Sequence, residues 1–306
     1  MPKLNDAEKT ILFFLLPTGM VILGLYVFTF PLSGTVRYFL SVPLFLSLFF
    51  FLVGFILNIK VSKYLRSVGW IIFAFYWSTQ INTLYYYENG DIVNAFLCTA
   101  GVYLLIYFAY KDITSKAECL PWLAGVAGIS GLIYFSMDYI SVLKNSLIEV
   151  VARHSALIYS IFDKNIKVEG SLIWAGYDYI GNSSPTAEII FACTAIQSML
   201  LFVGLILPLR EVNIKRRLSA IAFLIPTIYF LNLIRNASVV YLVGYRITDM
   251  NVAHNYIGKS GSLIALIALV FLVFKYIPEL YDKIICTINL YREEGFVERI
   301  LKKVMR

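Results

Sequence analysis

Three residues bear the side chains with which this chain can do chemistry: Cys193, Arg235 and His254. A thiolate is a strong nucleophile, and a cation or imidazole beside it lowers the thiol pKa enough to supply it. Histidine takes the thiol proton and later returns it to a leaving amine. Arginine does not deprotonate, so it serves as a fixed cation that holds an oxyanion or clamps a carboxylate. Together the three types point to acyl transfer through a thioester. Their neighbours add to each. Thr194, Gln197 and Ser198 follow the cysteine, and Gln197 at i+4 would share its helical face. Asn232 and Asn236 flank Arg235 at i−3 and i+1, with Asn232 on its face. Gln197, Asn232 and Asn236 are therefore the expected substrate-binding side chains.

Each residue also has a plainer reading. A lone cysteine in a membrane helix is ordinarily small packing material, a loop histidine is solvated, and an arginine near a helix end snorkels to the interface. Arg235 is the strongest single signal. An arginine at the centre of a membrane helix costs roughly 2.5–3.5 kcal/mol, and snorkelling needs no flanking asparagines. The second histidine, His154, is expected to pack at an interface or face solvent. No metal-ligand spacing or cofactor motif is found, so no cofactor is expected.

The elements that must position these residues are membrane helices. The chain is 59% hydrophobic and 15% charged, where a soluble domain carries roughly 25% charge; mean hydropathy is +0.76. The fold class expected is all-α, a polytopic transmembrane bundle of about eight spans at 11–30, 36–57, 67–87, 91–110, 120–140, 188–208, 218–243 and 257–277. The first lacks a small-residue cleavage site and is expected to be retained. The net charge of +7 needs no nucleic acid to explain it. With eight spans and the N-terminus inside, eighteen of the 26 lysines and arginines fall on one side and seven on the other, as cytoplasmic flanks require. Both termini are then cytoplasmic, and Cys193, Arg235 and His254 meet at shallow depth on the outer side.

One integral membrane domain is expected over 1–306. It has five spans in 1–140, an extracytoplasmic loop at 141–187, three spans carrying the chemistry in 188–277, and a cytoplasmic tail at 278–306. In the loop, Leu147, Ile148, Val151, Ser155 and Ile158 fall on one face of an interfacial helix. Residues 170–185 are turn-rich and include the glycosylation sequon Asn182-Ser183-Ser184. The tail reads as a basic amphipathic helix suited to an anionic leaflet. Cys98, Cys119, Cys193 and Cys286 are scattered, with no CxxC, and do not make a disulfide framework.

The local sequence carries a resemblance. Ala192-Cys193-Thr194-Ala195-Ile196-Gln197-Ser198-Met199 resembles the cysteine motif of the archaeosortase/exosortase family, and Asn232-Leu233-Ile234-Arg235-Asn236 resembles its NxxRN arginine motif. The archaeosortase A branch is the nearest in kind. The likeness covers residues 185–275, and residues 1–180 match only as a string of spans. It implies a multi-pass transpeptidase acting on secreted proteins whose C-terminal signal is a short motif, a transmembrane helix and a basic tail. The archaeosortase A branch implies cleavage near a Pro-Gly-Phe motif, with a membrane lipid as acceptor of the new C-terminus. By the same resemblance Cys193 is the nucleophile and Arg235 the electrostatic stabiliser. His254 fits the histidine form of the third position, with Lys259 and Arg246 as nearby basic alternatives. Two other function classes fit parts of the pattern. One is a membrane transferase of lipid-linked precursors, with Arg235 gripping phosphate and Cys193 dispensable. The other is a small-substrate transporter with Arg235 in its cavity, although no internal repeat is found.

Overall fold

A computed structural model describes residues 5–57, 59–87, 92–181 and 184–304. In chain order they form α1 (Asp6–Val27), α2 (Gly34–Ile56), α3 (Ser62–Ser78), α4 (Ile81–Tyr87), α5 (Ile92–Thr114), α6 (Cys119–Tyr139) and α7 (Ser141–Tyr159). Strands β1 (Ile166–Glu169) and β2 (Leu172–Ala175), helix α8 (Gly176–Ile180) and strand β3 (Ala187–Glu188) follow. A 3-10 turn (Phe191–Thr194) leads into α9 (Ile196–Ile206) and α10 (Ile214–Gly244). A π-helical turn (Val252–Gly258) runs into α11 (Lys259–Tyr276), and the chain closes with α12 (Pro278–Ile288) and α13 (Phe296–Val304).

Six of these segments are long and apolar enough to cross a membrane: α1, α2, α5, α6, α10 and the continuous stretch Val252–Tyr276. The chain is thus a helical, multi-pass membrane protein. Two expected spans turn out shorter than drawn. The one at 67–87 is divided: α3 stops at Ser78 and α4 starts at Ile81. At the break the Ser78 and Thr79 hydroxyls each donate to the carbonyl three residues back, Phe75 and Tyr76, both at 2.7 Å. Such side-chain bonds compete with the helical ladder. The one at 188–208 keeps only the eleven residues of α9 as helix, about 16 Å at 1.5 Å per residue, half of a hydrocarbon core.

The chain divides into two compact units, one made of Met1–Leu132 with Asp282–Arg306, the other of Ile133–Tyr281. In the first, Leu44, Leu48 and Phe51 of α2 are fully buried, and the Phe51 ring lies 4.2 Å from that of Trp70 on α3. Gly69 makes this approach close, since a Cβ there would stand 3.0 Å from the Phe51 ring. Charges inside this unit are paired. Arg66 bonds Asp112 at 2.7 Å, and the Trp70 indole N–H donates to the same carboxylate at 2.8 Å. Lys111 bonds Glu298 at 2.6 Å, and Tyr107 donates to Glu298 at 2.7 Å. The tail helix is amphipathic, with Val297 and Glu298 buried and Lys302 and Lys303 exposed. A disulfide joins Cys119 to Cys286 across 167 residues. The scattered spacing, read as making no disulfide framework, did not point to this one bond: a contact between α6 and α12 is a tertiary fact that spacing does not encode.

In the second unit α7 lies on α10. Ile148, Val151, Ala152, Ser155, Ala156 and Tyr159 are buried, a three-and-four spacing that agrees with the helix read in the loop. The rest of that loop holds a three-stranded antiparallel sheet in the order β1-β2-β3, pairing Val168 with Ile173 and Leu172 with Glu188. Gly176 (φ +57) lets the chain turn tightly out of β2 against α10, because a Cβ there would stand 2.6 Å from the Gly244 carbonyl oxygen. Asn182 and Ser183 of the sequon lie outside the described residues.

Candidate active site

The peptide around Cys193 is turned by one residue. Ala195 adopts the left-handed conformation (φ 59, ψ 9), ending the 3-10 turn and starting α9. A non-glycine residue held there is uncommon and is retained where its surroundings demand it. Cys193 is therefore not five residues inside a membrane helix, as the spans implied, but sits on the turn that precedes one. Gln197 correspondingly does not share a helical face with it. The Gln197 amide instead donates to the Tyr134 hydroxyl at 2.9 Å on the exposed side.

The turn is held from several sides. The Thr194 hydroxyl donates to the Phe191 carbonyl at 2.7 Å. The Phe191 ring packs 5.5 Å from the ring of Tyr134 and 5.5 Å beneath the Lys144 ammonium. Most directly, the side-chain amides of Asn232 and Asn236 both donate to the Cys193 carbonyl, at 2.8 and 3.1 Å. These donors stand at i and i+4 on α10, one face of one helix, and both are buried. A carbonyl oxygen has two lone pairs, so the two amides saturate it. Asn236 also reaches the buried Ser155 hydroxyl on α7 at 3.4 Å. The thiol is free and buried, 6% exposed.

Arg235 stands on α10 between the two asparagines. It is half-buried, and its Nη2 lies 3.5 Å from Nδ1 of His254. Its Nε is buried without a hydrogen-bond partner, and among the described residues no carboxylate pairs with it. Gly258 makes room for this group, since a Cβ there would meet Nε at 3.1 Å. Both His254 and Gly258 belong to the π-helical turn Val252–Gly258. Wider turns of this kind recur at functional sites, where the extra residue re-aims a side chain.

A cavity of about 550 Å³ opens along α10 and α11. Arg235, His254 and Asn232 line it, together with Ala192 and Ala195 on either side of the cysteine, and with Lys259. The rest of its wall is largely apolar, including Ile228, Leu231, Leu266 and Leu269. Cys193, Gln197 and Asn236 are not among the lining residues. Of the basic alternatives to His254, Lys259 is on the cavity, whereas Arg246 is 75% exposed and 4.0 Å from Asp178. His154 is exposed, with its Nδ1 2.7 Å from the Tyr229 hydroxyl. Among the described residues no three His, Cys, Asp or Glu side chains are gathered as a metal would need.

The sheet and α7 are fastened to the end of α10 by one carboxylate. Asp163 accepts from the hydroxyls of Tyr159 (2.9 Å) and Tyr245 (2.6 Å) and from the Asn165 N–H (2.9 Å). Partial burial pushes this carboxyl up, but bonds from Tyr245, Asn165 and Tyr159 outweigh it and hold it below the usual carboxylate range.

Sequence reasoning passed over Ser155, Gly258 and Ala195. Ser155 was placed on the buried face of α7 without a role. Nothing in the composition marks the left-handed alanine or the glycine beneath Arg235, because both needs arise only from packing.

Comparison with known proteins bears on the same stretch. The family model described as transmembrane exosortase matches residues 67–274. Archaeosortase A of Natronomonas pharaonis is 22% identical over 253 residues, 74% of this chain and 79% of that one. Archaeosortase A of Haloferax volcanii is 19% identical over 257 residues, 72% of this chain and 82% of that one. No solved structure matches. With the family model spanning well over half of its length, the chain belongs to the transmembrane exosortase family.

Proposed function

We propose that this protein is a membrane-embedded cysteine transpeptidase that cleaves C-terminal sorting signals of secreted proteins through a thioacyl intermediate. Cys193 is the nucleophile, Arg235 the stabiliser of developing negative charge, and His254 the proton carrier. In the first step the thiol proton passes to the imidazole and sulfur bonds to the scissile carbonyl carbon. The carbonyl π electrons move onto oxygen, where the Arg235 guanidinium offsets the charge. Collapse breaks the C–N bond, and the leaving amine takes the proton from His254. A nucleophile then attacks the thioester, giving its own proton to His254, and releases the thiolate, which takes that proton from the imidazole. We assign that nucleophile to a membrane lipid. The site faces the extracellular side, with both termini in the cytoplasm.

One observation carries this reading: a single face of α10 clamps the Cys193 carbonyl through Asn232 and Asn236 and presents Arg235 to the cavity that His254 also lines. The backbone of the nucleophile and the cation are thereby tied to one element, and the imidazole stands 3.5 Å from that cation on the neighbouring turn. Family membership supports the same kind of enzyme. The two asparagines act first on the backbone that bears the nucleophile, with Asn232 in addition open to the cavity. The direct test is intact-protein mass spectrometry of enzyme quenched during turnover. The expected result is an adduct on Cys193 that hydroxylamine removes. An enzyme that turns over substrate yet never carries such an adduct contradicts the thioester.

A further inference from the structure

The segment leading into Cys193 has an open edge. Among the described residues β3 pairs only with β2, in the sheet order β1-β2-β3, with Ala187 opposite Ile173 and Glu188 opposite Leu172. The Ile189 N–H donates to the Ser171 carbonyl at 2.8 Å, carrying the pairing one residue past β3. Opposed residues in an antiparallel ladder alternate between pairs that exchange main-chain bonds and pairs that do not. The Ile189 bond fixes the phase. Ala187 and Ile189 turn their main-chain groups toward β2, while Glu188 and Ile190 turn theirs outward. Side-chain burial alternates in step: Ala187 and Ile189 are buried, Glu188 and Ile190 exposed. The Ile190 carbonyl is occupied by the Cys193 N–H at 2.8 Å. Among the described residues this leaves the Glu188 N–H and C=O and the Ile190 N–H along the outward edge.

Unpaired strand edges invite another strand, and folds ordinarily blunt or cover them. This edge is two residues of strand and one of extension, too short to sustain a sheet between copies of the chain but long enough to align a peptide. Its last outward group, on Ile190, stands two residues before Ala192, which lines the cavity. We propose that the β3 edge is the docking rail for the extended cleavage motif of the substrate, which pairs main chain to main chain with Glu188 and Ile190 and so enters the cavity beside Cys193. The proposal rests on the transpeptidase reading. It adds that the ligand class at this edge is an extended peptide, recognised through its backbone by strand addition. Because the Ile190 carbonyl is taken by the Cys193 N–H, the Glu188 C=O is the acceptor left on the rail, so pairing makes one substrate amide essential and leaves its neighbours free.

The experiment uses the full chain in liposomes and synthetic peptides matching the C-terminal signal of a secreted protein that the same cells process. Each peptide carries one N-methylated amide, moved along the motif. Methylation of the one amide that donates to the Glu188 carbonyl is expected to raise KM about tenfold, the worth of one lost hydrogen bond, with kcat little changed and the adjacent positions tolerant. Glu188→Pro removes an outward donor and the 3.3 Å side-chain bond from the Ser171 hydroxyl, but no main-chain bond to β2; KM for the unmodified peptide should rise. Equal tolerance at all positions, or equal loss at all of them, overturns the rail while leaving the cysteine mechanism standing, provided that wild type cleaves and Cys193→Ala does not. Absence of cleavage by wild type overturns both.

Discussion

Two arginines within apolar helices, Arg66 on α3 and Arg235 on α10, meet opposite fates. Arg66 is 8% exposed and closed on every side. Its Nε and Nη2 bond Asp112, each at 2.7 Å, and its Nη1 donates to the Gly54 carbonyl at 3.0 Å. Arg235 is half-buried and open: one guanidinium nitrogen approaches His254 at 3.5 Å, its Nε has no partner, and the group lines a cavity. Burying a charge is expensive unless it is paired and hydrogen-bonded. Where the pairing is complete the charge fastens helices together. Where it is withheld, the unspent hydrogen-bonding capacity is available to a ligand or a transition state.

Removing each arginine should separate the two roles. Arg66→Ala leaves Asp112 buried and uncompensated and is expected to cost about 3–5 kcal/mol of stability, with activity per folded molecule retained. Thermal unfolding in detergent and specific activity measure the two effects. The double change Arg66→Met with Asp112→Leu should recover most of the loss, since a buried pair is often replaceable by apolar side chains. Arg235→Ala should do the reverse, lowering kcat by about 10²–10³ with the melting temperature nearly unchanged. Arg235→Lys should not restore activity, because an ammonium lacks the planar fork. Should Arg235→Ala unfold the protein as Arg66→Ala does, the two arginines are alike and the comparison fails.

Smaller effects sharpen the same contrast around α10. Asn232→Ala and Asn236→Ala each leave one donor on the Cys193 carbonyl, so either alone should be mild. The double variant strands a buried carbonyl, at a cost of about 1–3 kcal/mol, and should lower kcat beyond the product of the single effects. Gly258→Ala places a methyl 3.1 Å from the Arg235 Nε and 3.2 Å from the Ala253 carbonyl. A slight overpacking of about 1 kcal/mol should appear as a several-fold loss of kcat with KM held. The smallest effect concerns Asp163, whose carboxyl is held below the usual range in the folded protein. Its contribution is complete above the ordinary carboxylate range of about pH 4 and is lost as pH falls through the depressed folded value. Asp163→Asn should therefore lower the melting temperature at neutral pH and flatten its decline in acid.

The elements legible in the sequence were those with strong local signals. Long apolar runs marked α1, α2, α5, α6, α10 and α11, and the three-and-four spacing of Ile148, Val151 and Ser155 marked α7. Arg235 was legible because a charge in an apolar run stands out, and its asparagines because one lies a turn before it and the other directly after it. The placement of Cys193 was not, because a continuous apolar stretch from 188 to 208 hides the left-handed turn at Ala195, which depends on amides more than thirty residues away. The sheet escaped for a similar reason. Strands of four, four and two residues are too short for alternation to rise above the turn signals of Gly170 and Gly176. His254 was visible as a residue type, but the π-helical turn that faces it toward Arg235 was not.

The most direct test replaces Cys193 with alanine and with serine in cells lacking the native protein, following the C-terminus of a secreted protein with a sorting signal by mass spectrometry. Both variants should reach the membrane and leave the signal uncleaved, because neither side chain supplies a thiolate. Normal processing by either would contradict the thioester mechanism and move the chemistry to Arg235 and the cavity it lines.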